Sequence, residues 1–327
     1  MVMNISIIGS GVAGLCVASE LTARGAEVRL FDRHDAIGPH ACSWWAGGML
    51  APFCEGETAP EIVTRLGKNA ADWWQAQGVL VTSNGSLVIA LGRDARELDR
   101  FARRTSQHSM LKEDELGALE PDLQGRFARA LHFPTEAHLS PRAALQTLAS
   151  NLRSLGVAIS TETAPTDGAI IDCRGLSARD ALHDLRGVKG EMLLLKCSDI
   201  KLSRPVRLLH PRIPIYLVPR GDGVYMLGAT QIESADRTRA TARSVLELLS
   251  AAFALHPAFG EAEILEIGVD ARPAFPDNVP RIRRIENKIY ANGLFRHGFL
   301  LAPALAQMVA AHVLDGVIPE LMNENHS

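Results

Sequence analysis

The chain has 327 residues, 47% of them apolar, enough to fill one large domain or two ordinary ones, which excludes a disordered protein. Lys and Arg number 34 against 37 Asp and Glu, a net charge of −3, and no dense basic cluster occurs, which excludes nucleic acid and an anionic membrane as main partners. Five widely spaced cysteines (Cys16, Cys42, Cys54, Cys173, Cys197) form no C-x-x-C pair, and the 11 histidines have no ligand spacing; free thiols in a reducing, cytoplasmic compartment and no metal are expected.

Residues 4 to 8 read as a buried first strand, not a signal peptide, and no apolar run reaches the roughly 18 residues of a spanning helix. The stretch Ile5 to Ile8, three β-branched isoleucines around Ser6, ends at Gly9, and Gly9, Gly11 and Gly14 make G-x-G-x-x-G. The first glycine allows a tight turn, the second lets a pyrophosphate approach the backbone, and the third lets helix pack on strand. Leu15, Ala18 and Leu21 then recur at helical spacing, and Gly25 stands where a left-handed residue closes a helix. A second strand, Glu27 to Phe31, ends at Asp32, 18 residues beyond Gly14, where an acid accepts ribose hydroxyls and repels a 2′-phosphate. That pattern leaves NAD and FAD both open.

A Gly- and Trp-rich stretch (41 to 57) precedes a helix from Glu61 to Gln77, a strand at 86 to 91, and an amphipathic helix from Asp94 to Thr105 with Asp94 as N-cap. Ser140 as N-cap and Pro141 at the first helical position start a helix striped by Leu145, Leu148, Leu152 and Leu155. A strand at 168 to 175 runs into a glycine. Strand-rich sequence follows: "EMLLLKC", then "IYLVP" and "VYMLGAT" joined by "RGDG" as a hairpin. A helix from Thr241 to Ala254, strands near 263 to 268 and 288 to 291, and an apolar helix from Pro303 to Leu314 complete the chain. Nucleotide-binding segments at both ends with antiparallel material between them predict an α/β nucleotide domain of discontinuous segments interrupted by a substrate domain.

At "SWWAGGMLAP" and "LFRHGFLLAP" the sequence resembles the FAD-dependent D-amino-acid oxidase superfamily, and within it the glycine oxidases of thiamine biosynthesis. "HLSPRAALQTLASNLRSLGV", "LRGVKGEMLLL", "IYLVPRGDGVYMLGAT" and "GVDARPAFPDNVPRI" extend the resemblance, in order, over nearly the whole chain. It implies a Rossmann-like FAD-binding domain (1–84, 138–190 and 264–327) with an inserted antiparallel-sheet α+β substrate domain (85–137 and 191–263), the glutathione-reductase/D-amino-acid-oxidase architecture.

The resemblance further implies non-covalent FAD. It puts the backbone of Val12 and Ala13 at the pyrophosphate, Asp32 and Arg33 at the adenosine ribose, Cys42 and Ser43 in the same groove, and Ala164 nearest the adenine. Gly47, Gly48 and Met49 would lie against the isoalloxazine, where small residues let the backbone touch the ring edge. Gly293, Leu294, Phe295, Arg296, His297, Gly298, Phe299 and Leu300 would form a loop running into a helix N-terminus at the flavin C2 carbonyl. Arg272 would grip the substrate carboxylate, with Arg296 beside it and Tyr216 on the substrate side. The implied partners are a small amino acid, molecular oxygen as acceptor, a thiazole synthase receiving the product, and further copies of the chain. A secondary-amine oxidase of the sarcosine type, an amino-acid dehydrogenase and a non-catalytic FAD-fold binding protein are the alternatives.

Overall fold

The computed structural model describes residues 4–165, 168–210 and 213–322. Its first sheet has six strands in the order Arg281–Ile285, Lys288–Asn292, Ala169–Asp172, Asn4–Ile8, Glu27–Phe31, Ile159–Ser160, all parallel except the first pair. Asn4–Ile8 sits in the middle, with Ile5 beside both Ala169 and Val28, and its isoleucines, interrupted only by the buried Ser6, are apolar because both faces of the strand are covered. Leu15 and Leu21 of the helix Val12–Ala23 join Leu145, Leu148, Leu305 and Val309 of two further helices in the core against this sheet. Gly25 follows that first helix at φ 82°, as its position predicted.

The last helix differs from expectation. It runs Gly298–Asp315, so Pro303 lies inside it. Proline has no N–H for the carbonyl of Phe299, and that oxygen accepts instead from Trp74 Nε1 at 2.8 Å. With 18 residues and a mean hydropathy of 1.4 this helix is long and apolar enough to cross a membrane, contrary to the sequence reading. Half of it is buried, against the helices Val12–Ala23, Glu61–Gly67 and Ala70–Ala76, which accounts for its apolar character as that of a core helix. The single helix expected over 61–77 is thus two, parted at Lys68 and Asn69. Gly67 comes so close to the last helix that a Cβ there would lie 2.7 Å from Leu300 Cγ. Two expected caps are also absent: neither Asp94 nor Ser140 caps its helix through the side chain, although Pro141 does take the first turn.

The second sheet has nine strands and is mostly antiparallel. Ile215–Gly221 and Val224–Gly228 form the expected hairpin, turning at Asp222 and Gly223, both at positive φ. The strand expected near 263–268 is longer, Glu263–Ala274, and pairs with Arg186–Lys196 from Lys196↔Glu263 to Arg186↔Ala274. Arg272 is therefore carried on a strand rather than a loop. One row across this sheet joins Gly268, Met192, Gly228, Tyr216 and Arg207 on successive strands. Paired residues share a face, so these side chains project to one side at the roughly 4.8 Å spacing of strands. Met49–Leu50, Ala137–Leu139 and Val81–Thr82 form a third, small sheet.

Candidate active site and cofactor cleft

A cavity of about 1000 Å³ opens along the ends of the first sheet and reaches the second. Gly9, at φ 105°, turns so tightly under the strand Ala169–Asp172 that a Cβ would lie 2.7 Å from the Cys173 carbonyl oxygen. A Cβ on Gly11 would meet only Ser43 Oγ, at 3.6 Å, so the second glycine keeps the backbone open to the cavity. Gly14 does not line it: a Cβ there would stand 1.8 Å from the Gly9 carbonyl oxygen, so this glycine serves helix packing. The N-cap is Gly11, with no side-chain cap, so the first N–H groups of the helix, at Val12 and Ala13, which both line the cavity, are left without a capping partner, as a bound anion requires.

Asp32 faces the same space with its carboxylate fixed: Oδ2 accepts from Ser10 N at 2.7 Å and Ser10 Oγ at 2.8 Å, and Oδ1 from His34 N at 3.3 Å. Arg33 is held by Ser177 Oγ at 3.1 Å. Cys42 and Ser43 stand on the short helix Cys42–Trp45; burial pushes the Cys42 thiol up to about 12, so it stays neutral, and Ser43 Oγ is buried without a hydrogen-bond partner among the described residues. Ala164 lines the far end, while Thr166 and Asp167 of the same segment lie outside the described residues. An uncapped helix start, a fixed carboxylate and an orphan hydroxyl around a glycine cradle fit a dinucleotide with its pyrophosphate and ribose.

Toward the second sheet the walls are Gly47, Gly48 and Met49 on one side and Gly293 to Leu300 on the other. The latter turn is tied at several points: Gly293 N donates to Asn292 Oδ1 at 2.8 Å, Phe295 N to the Pro273 carbonyl at 2.8 Å, and His297, the N-cap of the last helix, to the Leu294 carbonyl at 2.8 Å. Tyr216 packs its ring where Cβ atoms on Gly47 or Gly228 would come within 2.8 Å.

Arg272 lies over Gly190, where a Cβ would stand 2.2 Å from its Nη2. Nη1 donates to the Thr230 carbonyl at 3.3 Å, and among the described residues no carboxylate lies within ion-pair distance of the guanidinium. Asp270, two residues away, is taken by Arg237 at 2.5 Å. Arg296 lies in the same cavity but is engaged, by Glu55 at 2.6 Å and Thr58 Oγ at 3.0 Å. Glu55 also pairs with Arg207 at 2.6 Å and with His297 Nε2 at 3.0 Å. Burial works to raise the Glu55 carboxyl, but Arg296, Arg207 and the His297 hydrogen bond outweigh it and hold the group well below the usual carboxylate range.

All the expected site residues except Gly14 thus line one cavity. The sequence reading missed Ser10, Glu55, Arg207 and Thr230. Glu55 carried a signal, as an acid six residues past Met49 in the ring-side stretch; Arg207 carried none, because its place opposite Tyr216 depends on strand register.

A glycine cradle at the end of the middle strand of a parallel sheet, sharing one cleft with a large antiparallel sheet, marks a dinucleotide-dependent oxidoreductase. Residues 4–312 match the FAD dependent oxidoreductase (DAO) family, and the chain belongs to it, with FAD as its cofactor. It is 52% identical over 317 residues to a thiamine biosynthesis oxidoreductase ThiO of Rhizobium etli, covering 95% of this chain and 97% of that one. It is 28% identical to a glycine oxidase of Pseudomonas aeruginosa (94% and 93% covered) and 27% identical to a bifunctional ThiO/ThiG protein of Nostoc, spanning all of this chain and 55% of the fusion. Among solved structures, glycine oxidase from Geobacillus kaustophilus superposes with a TM-score of 0.80 at 21% identity, covering 98% and 96%.

Proposed function

We propose that the protein catalyses oxidative deamination of glycine or a similarly small amino acid, delivering an imine to the thiazole branch of thiamine synthesis. The observation that carries the reading is Arg272: a guanidinium in the cofactor cavity with no carboxylate among the described residues within ion-pair distance. Its fork holds both oxygens of an amino-acid carboxylate and so fixes Cα. Val12 and Ala13 would hold the pyrophosphate of FAD, Asp32 its ribose, and Gly47–Met49 with Gly293–Leu300 its ring, all of them lining the one cavity. When bound, FAD supplies the two-electron acceptor that takes hydride from Cα, and dioxygen accepts those electrons as hydrogen peroxide. The side chains have little else to do: they orient the uncharged amine, exclude water and leave the imine to hydrolyse to glyoxylate and ammonia or to pass on. No general acid or base is assigned. Tyr216, over Gly47, closes the substrate side, and Arg296, held by Glu55, adds positive charge near the carboxylate without being free to clasp it.

The ThiO name of one relative and the fused ThiG domain of another support a thiazole synthase as the recipient. The five cysteines, all free, suit a reducing cytoplasm. Peroxide and glyoxylate measured with glycine, sarcosine, D-alanine and bulkier D-amino acids test the proposal. Peroxide equal to amine consumed, with small substrates preferred, supports it; turnover of bulky amino acids alone refutes it.

A further inference from the structure

The backbone of Ala46, Gly47 and Gly48 turns its carbonyl groups onto neighbouring protein. Arg220, on the strand Ile215–Gly221, donates through Nη2 to the Gly47 carbonyl at 2.7 Å and the Ala46 carbonyl at 3.4 Å, and through Nη1 to the Leu139 carbonyl at 3.1 Å. Leu139 N donates in turn to the Gly48 carbonyl at 2.9 Å. In a trans peptide the N–H points opposite to the C=O. The N–H groups of Gly47 and Gly48 therefore face away from Arg220, on the side where both residues line the cavity, and neither has an acceptor among the described residues. Two successive N–H groups on one side form a concavity suited to negative charge.

Arg220 has no carboxylate within ion-pair distance among the described residues. The nearest other cation, Arg142, is neutralised by Glu266 at 2.7 Å, and His138, beside Leu139, is kept neutral by burial and by Arg220 itself, its pKa lowered to about 4. Burial pushes Arg220 down to about 10, so it remains a cation at neutral pH. A half-buried cation without a counter-ion gains from negative charge brought near it, and the Ala46–Gly48 peptides it holds line the cavity.

We propose that Arg220 is a positioning residue that fixes and polarises the Ala46–Gly48 backbone so that its two inward N–H groups stabilise negative charge on the flavin ring. A carbonyl bound to a guanidinium makes its own peptide's N–H a stronger donor, which is how a side chain outside the cavity acts within it. The inference rests on reading Gly47–Met49 as the ring-side wall.

Sulfite titration of the FAD-loaded enzyme, followed by absorbance, tests it without amine turnover. Sulfite adds its electron pair to the ring nitrogen N5 and leaves negative charge on the ring, so its affinity reads how well the protein stabilises that charge. A flavin midpoint potential against a reference dye is the parallel readout. Arg220→Gln should weaken sulfite binding by about tenfold or more and lower the potential, with Arg220→Lys intermediate. Gly47→Ala, whose Cβ would meet Tyr216, should shift the flavin absorption. Unchanged sulfite affinity and potential in Arg220→Gln, while Gly47→Ala alters the flavin, overturns the role of Arg220 and leaves the wall reading intact. If neither variant alters the flavin, the wall reading falls and the proposal with it. Should Arg220→Gln fail to hold FAD, Arg220→Lys decides: wild-type affinity and potential there refute the proposal, and reduced values support it.

Discussion

Replacing Arg272 by alanine removes a cavity guanidinium that has no carboxylate within ion-pair distance among the described residues. Its only hydrogen bond among the described residues, to the Thr230 carbonyl, is long at 3.3 Å, so its loss costs the fold about 1 kcal/mol or less. A substrate carboxylate loses far more. Truncating one side of a hydrogen-bonded, partly desolvated charge pair costs about 2–5 kcal/mol, which is a fall in kcat/KM of about 30- to several-thousand-fold. Steady-state peroxide assays with glycine measure it, with FAD content and Tm as controls that should stay near wild type. Arg272→Lys should recover only part of the loss, since a point charge cannot reproduce the fork. An amine without a carboxylate should be turned over almost equally by wild type and variant. Near-normal glycine kinetics in Arg272→Ala would refute the carboxylate grip, and loss of FAD together with activity would make Arg272 structural.

Asp32→Ala should weaken FAD binding by about 10- to 150-fold, the worth of a hydrogen bond to a charged group, as read by titrating the apoprotein with FAD. Gly14→Ala, whose Cβ would stand 1.8 Å from the Gly9 carbonyl oxygen, should lower stability by about 1–3 kcal/mol or more; an unchanged Tm would contradict the packing role given to this glycine. Glu136, in contact with Ser86 Oγ and Cys54 N, is raised to about 7 by burial against those hydrogen bonds. Its folded pKa exceeds the unfolded value of about 4.3, so its stabilising effect is complete below that pH and is lost as pH rises through about 7. Thermal melts across this window should show Tm falling in wild type and a shallower fall in Glu136→Gln; parallel curves would refute the assignment.

The cofactor half of the cleft was legible in the chain because its determinants are local. Gly9, Gly11, Gly14 and Asp32 lie within one strand–helix–strand unit, and each occupies the place that its spacing predicts. The hairpin at Asp222–Gly223 was readable for the same reason. What stayed hidden depends on contacts between distant segments. Trp74 relieves Pro303 inside the last helix, which a sequence pattern reads as a helix start. The register of Glu263–Ala274 with Arg186–Lys196 carries Arg272 over Gly190, and the Glu55 cluster joins residues from three separate stretches. Arg220 showed no sign of its role, since its partners are backbone carbonyls that no residue type announces.

The central claim is that one cavity brings an amino-acid carboxylate to Arg272 beside bound FAD. The most direct measurement is the visible absorption spectrum of the purified, FAD-loaded protein, recorded without oxygen before and after glycine is added. Loss of the oxidised-flavin band on adding glycine, and its return with peroxide when air is admitted, is the predicted result. A band unchanged by glycine, sarcosine and D-alanine alike would contradict the account.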